Sequence, residues 1–191
     1  MPGVTKPFDP RQAKSRLLQL VRERAYKDGL DIVLASGKRS TFYINGKKVS
    51  LHPEGLWLIA KLLLEKLKAH PEITAVGGLT IGADPLASAV AALSFETGQN
   101  LKAFLVRKEA KGHGTGSKIE GDLDRGEKVA ILEDTVTTGG SAKKAIDAVR
   151  EVGAVPVVVM AIADREDPDA DAFRKEHAVE CLLTLSEIRG K

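Results

Sequence analysis

A chain of 191 residues, 43% of them apolar and 29% charged, is long enough to bury a sizeable core as one domain and has the balance of an ordinary globular protein. Its formal net charge of +3 is too weak to argue for nucleic acid, and its longest uncharged apolar run, residues 154–163, is too short to span a bilayer. The single cysteine, Cys181, excludes an intrachain disulfide and points to a reducing, cytoplasmic setting, with an inert thiol inside the run AVECLLTL. The opening stretch MPGVTKPFDPRQ has no apolar signal core.

In chain order, residues 10–28 carry Leu17, Leu18, Leu20, Val21 and Ala25 at helical spacing, which predicts an amphipathic helix stopped by Gly29. Residues 31–46, DIVLASGKRSTFYING, predict two short strands around a Ser-Gly-Lys-Arg turn. Pro53 opens a helix over 53–70, with Leu56, Ile59, Leu62, Leu63 and Leu67 on one face. A regular alternation follows. Strands are expected at 73–79, 101–106, 127–133, 155–163 and 179–185, and helices at 84–97, 139–153 and 167–178. Alternating strands and helices imply a parallel sheet covered on both faces, with ligands at the carboxyl ends of its strands.

The stretch VAILEDTVTTGGSA, residues 129–142, sets two acids at the tip of an apolar strand, just before a loop of small and hydroxylated residues. Gly139 and Gly140 allow a tight turn and close approach of the backbone to a ligand. Thr135, Thr137, Thr138 and Ser141 bring hydroxyl donors, and the helix that follows adds unpaired N–H groups and the positive end of its dipole. Together they form a phosphate cradle. It is neither a Walker loop nor a dinucleotide fingerprint, since both consensus patterns are absent. Carboxylates repel phosphate, so Glu133 and Asp134 should face vicinal hydroxyls, and the pair with the cradle suits a ribose 5-phosphate. The alternative is a capped helix start, where acids and Ser/Thr are also common.

Residues 107–121 combine Arg107, Lys108, Lys111, His113 and Lys118 with four glycines and no apolar stripe. Such a segment is expected to be a mobile lid over an anionic ligand, rather than a solvated loop with chance charge.

VAILEDTVTTGGSA resembles the phosphoribosyl pyrophosphate (PRPP) signature of the type I phosphoribosyltransferases. Within them, FLVRKEAKGHGTGSKIEG resembles the catalytic loop of the orotate phosphoribosyltransferases, as do the hairpin LASGKRSTFYINGKKVSLHPEG and the segment GGLTIGADPLA. The resemblance covers nearly the whole chain. It implies an α/β type I phosphoribosyltransferase fold: a central parallel sheet flanked by helices, with a small N-terminal hood that includes a β-hairpin. It implies one domain over 1–191, with the hood roughly 1–52 plus the C-terminal end, the core roughly 53–180 and the catalytic loop roughly 107–121. It further implies transfer of ribose 5-phosphate from PRPP to orotate, giving orotidine 5′-monophosphate and pyrophosphate in pyrimidine biosynthesis.

Residue by residue, the resemblance assigns Arg107, Lys108, Lys111 and His113 to the pyrophosphate. It assigns Glu133, Asp134, Thr135, Val136, Thr137 and Thr138 to the PRPP site, continuing through Gly139, Gly140 and Ser141. Catalysis falls to Lys108, Lys111, His113, Asp134 and Glu133. Arg165, Thr137, Phe42 and Tyr43 fall at orotate, where an arginine suits the carboxylate. Gly82, Ala83 and Asp84 match the pyrophosphate loop, where a non-proline cis peptide is often found; a helix start capped by Asp84, with Pro85 at its first position, is compatible with that role. Implied too are Mg²⁺ held mainly by PRPP oxygens and water, with Asp134 its candidate protein contact, and a homodimer whose catalytic loop is shared between subunits.

This chain departs from some members in two places. Ala35 stands where they carry a lysine before the Ser-Gly of the hairpin, and Ile81-Gly82 where they carry Tyr-Lys. Lys38 or Arg39 is the nearest replacement for the first. The rival readings are a phosphoribosyltransferase for another base and a PRPP-sensing regulator. The Arg-Lys-x-x-Lys-x-His loop argues against the first, and the near-neutral charge argues against the second.

Overall fold

The computed structural model describes residues 7–33, 37, 39–109 and 117–190. Asp9 starts the first helix: its carboxylate accepts from Arg11 N at 2.9 Å, and Pro10 occupies a position where no N–H is needed. Helix α1 (Pro10–Leu20) continues as a turn of π-helix (Val21–Ala25) and then becomes strand β1 (Tyr26–Lys27). The helix expected over 10–28 therefore ends early. Tyr26 and Lys27 leave it to pair antiparallel with Ile44 and Tyr43 of β4 (Tyr43–Ile44). The expected hairpin is present as β2 (Ile32–Val33) against β3 (Arg39–Ser40). A short helix α2 (Lys47–Ser50) and the long α3 (Pro53–Leu67) follow.

The remaining elements are β5 (Ala75–Leu79), α4 (Asp84–Glu96), β6 (Lys102–Val106), β7 (Ile119–Glu120), β8 (Lys128–Val136), α5 (Gly140–Glu151), β9 (Val155–Asp164), α6 (Asp171–Glu176), β10 (Val179–Thr184) and α7 (Leu185–Arg189). They build a six-stranded sheet of order β10-β9-β8-β5-β6-β7. Its strands run parallel except β7, which pairs antiparallel with β6. Pattern reading missed β7 and α7, each too short to show a period, and placed the end of β8 three residues early.

The apolar strands explain the layering. Residues such as Val76, Ala130, Leu132, Met160 and Ile162 pack with α1, α3 and α4 in one buried cluster. Ala75, Val129, Ile131 and Val159 pack with Ala142, Ala145, Ile146 and Val149 of α5 and with Phe173 of α6 in another. Neighbouring residues of one strand thus serve opposite faces, as the pleat requires. The chain leaves β5 toward β6 on one side and returns to β8 on the other. That reversal of order is where open parallel sheets form a crevice at their carboxyl ends.

Among the described residues no helix is long and apolar enough to cross a membrane. Cys181 is half-buried on β10, and burial pushes its thiol up to about 12, so it is inert at neutral pH.

Candidate active site

A cleft of about 360 Å³ opens at the end of β8, with Tyr43 and Lys47 among its lining, together with Asp134, Thr137, Ser141 and Arg165. A smaller pocket of about 80 Å³ lies along the turn into α5, lined by residues 133 and 135–142. That turn needs Gly139: its φ is +80°, and a side chain there would run into the Phe173 ring. Gly140 N–H donates to Thr138 Oγ1 at 3.4 Å. The N–H groups of Ser141 and Ala142 have no carbonyl one turn back to bond, so they are available to an anion in the smaller pocket, whereas Lys143 N–H donates to Gly139 O at 2.8 Å.

Glu133 and Asp134 alternate along β8, and Glu133 lines the smaller pocket while Asp134 lines the larger. Both carboxylates nevertheless reach the loop after β5. A Cβ on Gly82 would stand 3.3 Å from Asp134 Oδ1 and 3.4 Å from Glu133 Oε1. Lys47 Nζ meets Asp134 Oδ2 at 2.8 Å, and this bond pushes the lysine's pKa up. Glu133 is 7% exposed, and burial, then Asp134 beside it, pushes its pKa up to about 8.

A raised carboxylate pKa favours the protonated folded state. Its stabilisation is complete below the unfolded value near 4.5 and is lost as pH rises through about 8. The ligand-free protein is therefore expected to lose on the order of 2 kcal/mol from this residue between those limits, the cleft mouth and Lys47 reducing the full effect. Thermal unfolding of wild type and Glu133→Gln across that range checks this. The wild type should show the falling slope and the variant a shallower one; parallel curves would assign the slope to other groups.

Arg165 is 6% exposed at the end of β9, and burial lowers its pKa. Its Nη2 donates to Ser40 Oγ at 3.3 Å, its guanidinium lies 4.4 Å from the Phe42 ring centroid, and its Nε has no partner. Arg189 of α7 lies 4.5 Å from the same ring and donates through Nε to Tyr26 OH at 2.9 Å. A buried guanidinium with an unused donor at a cleft is a site for an anion, and its planar fork matches a carboxylate.

No protein-family model matches the chain. It is 50% identical to the orotate phosphoribosyltransferase of Thermosynechococcus vestitus, over 93% of either chain. The Mycobacterium tuberculosis orotate phosphoribosyltransferase in complex with Fe(III) dicitrate superposes with a TM-score of 0.78 at 36% identity, covering 92% of this chain and 98% of that one. The same enzyme in complex with PRPP superposes with a TM-score of 0.74 at 33% identity, covering 93% and 99%. The chain belongs to the orotate phosphoribosyltransferase family.

The segment expected to bind PRPP, residues 133–141, wraps the two pockets, each residue lining one or both and Val136 buried among them. Tyr43 and Arg165 join it at the larger one, whereas Phe42 lies behind Arg165 as its stacking partner. In the segment expected to form the pyrophosphate loop, a Cβ on Gly82 would meet the acid pair, and Ala83 is buried. The cis peptide of this loop is Thr80–Ile81. Asp84 is not the helix cap expected from sequence. Ala83 holds that position without a side-chain bond, and Asp84 sits in the first turn with a buried, unpartnered Oδ1 and a pKa raised by burial.

Of the lid expected from sequence, Arg107 follows β6 and is paired with Glu120 at 2.6 Å, and Lys108 is exposed. Neither lines the cleft. Lys111 and His113 lie outside the described residues, as do Ala35 and Lys38. Arg39 is exposed and donates to Asp31 at 3.1 Å, away from the cleft. Sequence reasoning missed Lys47, the described cation nearest the acid pair. Its one signal was its place three residues after β4, which opens with Tyr43.

Proposed function

We infer that this chain transfers ribose 5-phosphate from PRPP to orotate, giving orotidine 5′-monophosphate and pyrophosphate, the pentosyl-transfer step of pyrimidine biosynthesis. The observation that carries this reading is one cleft that joins an acid pair and a phosphate cradle to a buried arginine with an unused donor.

The cradle after β8 takes the 5′-phosphate on the α5 N–H groups and the Thr and Ser hydroxyls. Asp134, with Glu133 beside it, accepts hydrogen bonds from the ribose hydroxyls. Arg165 takes the carboxylate of orotate, Thr137 contributes a hydroxyl, and Tyr43 borders the ring, with Phe42 steadying Arg165 from behind. Orotate N1 then forms its bond to the anomeric carbon, releasing its proton to water, as the bond from that carbon to the pyrophosphate oxygen breaks. The electron pair leaves with pyrophosphate. The ring passes through an oxocarbenium-like state, so positioning and charge stabilisation supply the catalysis, with no protein nucleophile.

The family resemblance gives Gly82, Ala83 and Asp84 to the pyrophosphate, as it does Arg107, Lys108, Lys111 and His113; the cationic groups of these last four (His113 when protonated) would offset its charge and exclude water. Among the described residues no group of three or more His, Cys, Asp or Glu is placed to hold a metal ion. The acid pair fits Mg²⁺ bound mainly through PRPP oxygens and water, with Asp134 as the protein carboxylate at hand. Mg²⁺ bound in this way would neutralise part of the leaving group's charge.

The family resemblance supports one domain with a hood over residues 1–52, a homodimer that shares its catalytic loop, and orotate and PRPP as partners. The single cysteine supports a cytoplasmic setting. Loss of orotate absorbance with PRPP and Mg²⁺, compared with uracil, hypoxanthine and adenine as acceptors, tests the assignment.

A further inference from the structure

We propose that Lys47 is a positioning residue for the PRPP ribose: from the N-terminal segment it clamps Asp134 in the orientation that receives the ribose hydroxyls. The proposal rests on the PRPP reading of the cleft and adds to it a residue outside the PRPP signature.

Asp134 is held from two sides by backbone. A Cβ on Gly46 would stand 3.1 Å from Asp134 Cβ and 3.3 Å from Thr135 Oγ1, and one on Gly82 would stand 3.3 Å from Asp134 Oδ1. Glycine at both positions lets two separate loops close on one carboxylate. Lys47 completes the grip by taking Oδ2 at 2.8 Å. The Lys47 side chain is 46% exposed and that of Asp134 14%, so the pair sits at the cleft mouth with the acid inside.

The grip has its own anchor. Lys47 is the first residue of α2, whose Val49 is fully buried, and Asn45 N–H donates to Ala25 O at 3.0 Å just before it. An ionised carboxylate offers about four acceptor sites, and one lysine hydrogen bond leaves the others for hydroxyls. The lysine also offsets the charge of Asp134 at the strand tip. The segment that carries Lys47 carries Tyr43 as well, so one stretch of chain borders the base and orients the acid for the sugar.

The test uses the full chain with Lys47→Met, Lys47→Arg, Asp134→Asn and the Lys47→Met/Asp134→Asn double variant. The Michaelis constants for PRPP and orotate are measured, together with the rise in unfolding temperature that PRPP and Mg²⁺ induce. Lys47→Met should raise the PRPP constant about tenfold, a size typical of residues in one charge network, and leave that for orotate within about twofold. It should lower kcat less than it raises the PRPP constant and shrink the PRPP-induced stabilisation, and Lys47→Arg should restore most of both. On the Asp134→Asn background, Lys47→Met should weaken PRPP no further, because its effect runs through that carboxylate. Unchanged or tighter PRPP binding in Lys47→Met, or full additivity in the double variant, would overturn the proposal. If the wild type binds PRPP but does not use orotate, the activity assignment falls, and the PRPP-induced stabilisation alone decides the role of Lys47.

Discussion

Asp134→Asn is expected to lower kcat/KM by about 10²- to 10³-fold, the size seen when one preorganised electrostatic partner of a transition state is removed. The amide keeps the shape but loses the charge, and its NH₂ presents donors where ribose hydroxyls need acceptors. Folding should be nearly untouched. Asp134 caps no helix, since the cap of α5 is Gly139 and no side chain bonds there, and its partner Lys47 is half-exposed. An ion pair of that kind contributes about 0–1 kcal/mol, or no more than about 5 °C in the unfolding midpoint of a domain this size. Initial rates and calorimetry on the same preparation check both halves. Normal turnover with a large loss of stability would make the residue structural.

Arg165→Ala is expected to raise the Michaelis constant for orotate by about ten- to a hundredfold, with a smaller effect on PRPP, because truncating one partner of a buried charged contact costs about 2–5 kcal/mol in comparable interfaces and part of that falls on stability here. In the free protein Arg165 already has a role: it stacks on Phe42 and donates to Ser40. The variant should therefore also lose some stability, while Arg189 stays over the ring. Lysine is a poor replacement, since a point charge cannot match a carboxylate with two parallel N–H bonds. Equal weakening for both substrates in steady-state kinetics would take Arg165 out of the orotate site.

The sheet was legible because its parallel strands are buried on both faces and read as unbroken apolar runs; VPVVVMAIA became β9 with only Asp164 added. The cradle was legible because its acids, hydroxyls and glycines are consecutive, so one short window holds most of the site. What escaped lies between distant segments. Lys47 reads as one more solvated lysine in GKKVS, and its partner Asp134 stands 87 residues away. Arg189 reads as a tail cation, yet α7, held by the Thr184–Glu187 capping box, brings it to Phe42. The hairpin aromatics were foreseen as a pair at the base; the fold separates them, Tyr43 lining the cleft and Phe42 stacked behind Arg165. Asp84 was misread for a related reason. A helix cap is set by backbone angles at Ala83, which the Asp-Pro dipeptide does not reveal.

The most direct measurement is the initial rate of base consumption by the purified chain with PRPP and Mg²⁺, orotate being set against uracil, hypoxanthine and adenine at equal concentration. Rapid loss of orotate, dependent on both PRPP and Mg²⁺, with one pyrophosphate released per orotidine 5′-monophosphate formed and little turnover of the other bases, is the predicted result. Consumption of a purine or uracil in preference to orotate, or PRPP binding with no base consumed, would contradict it.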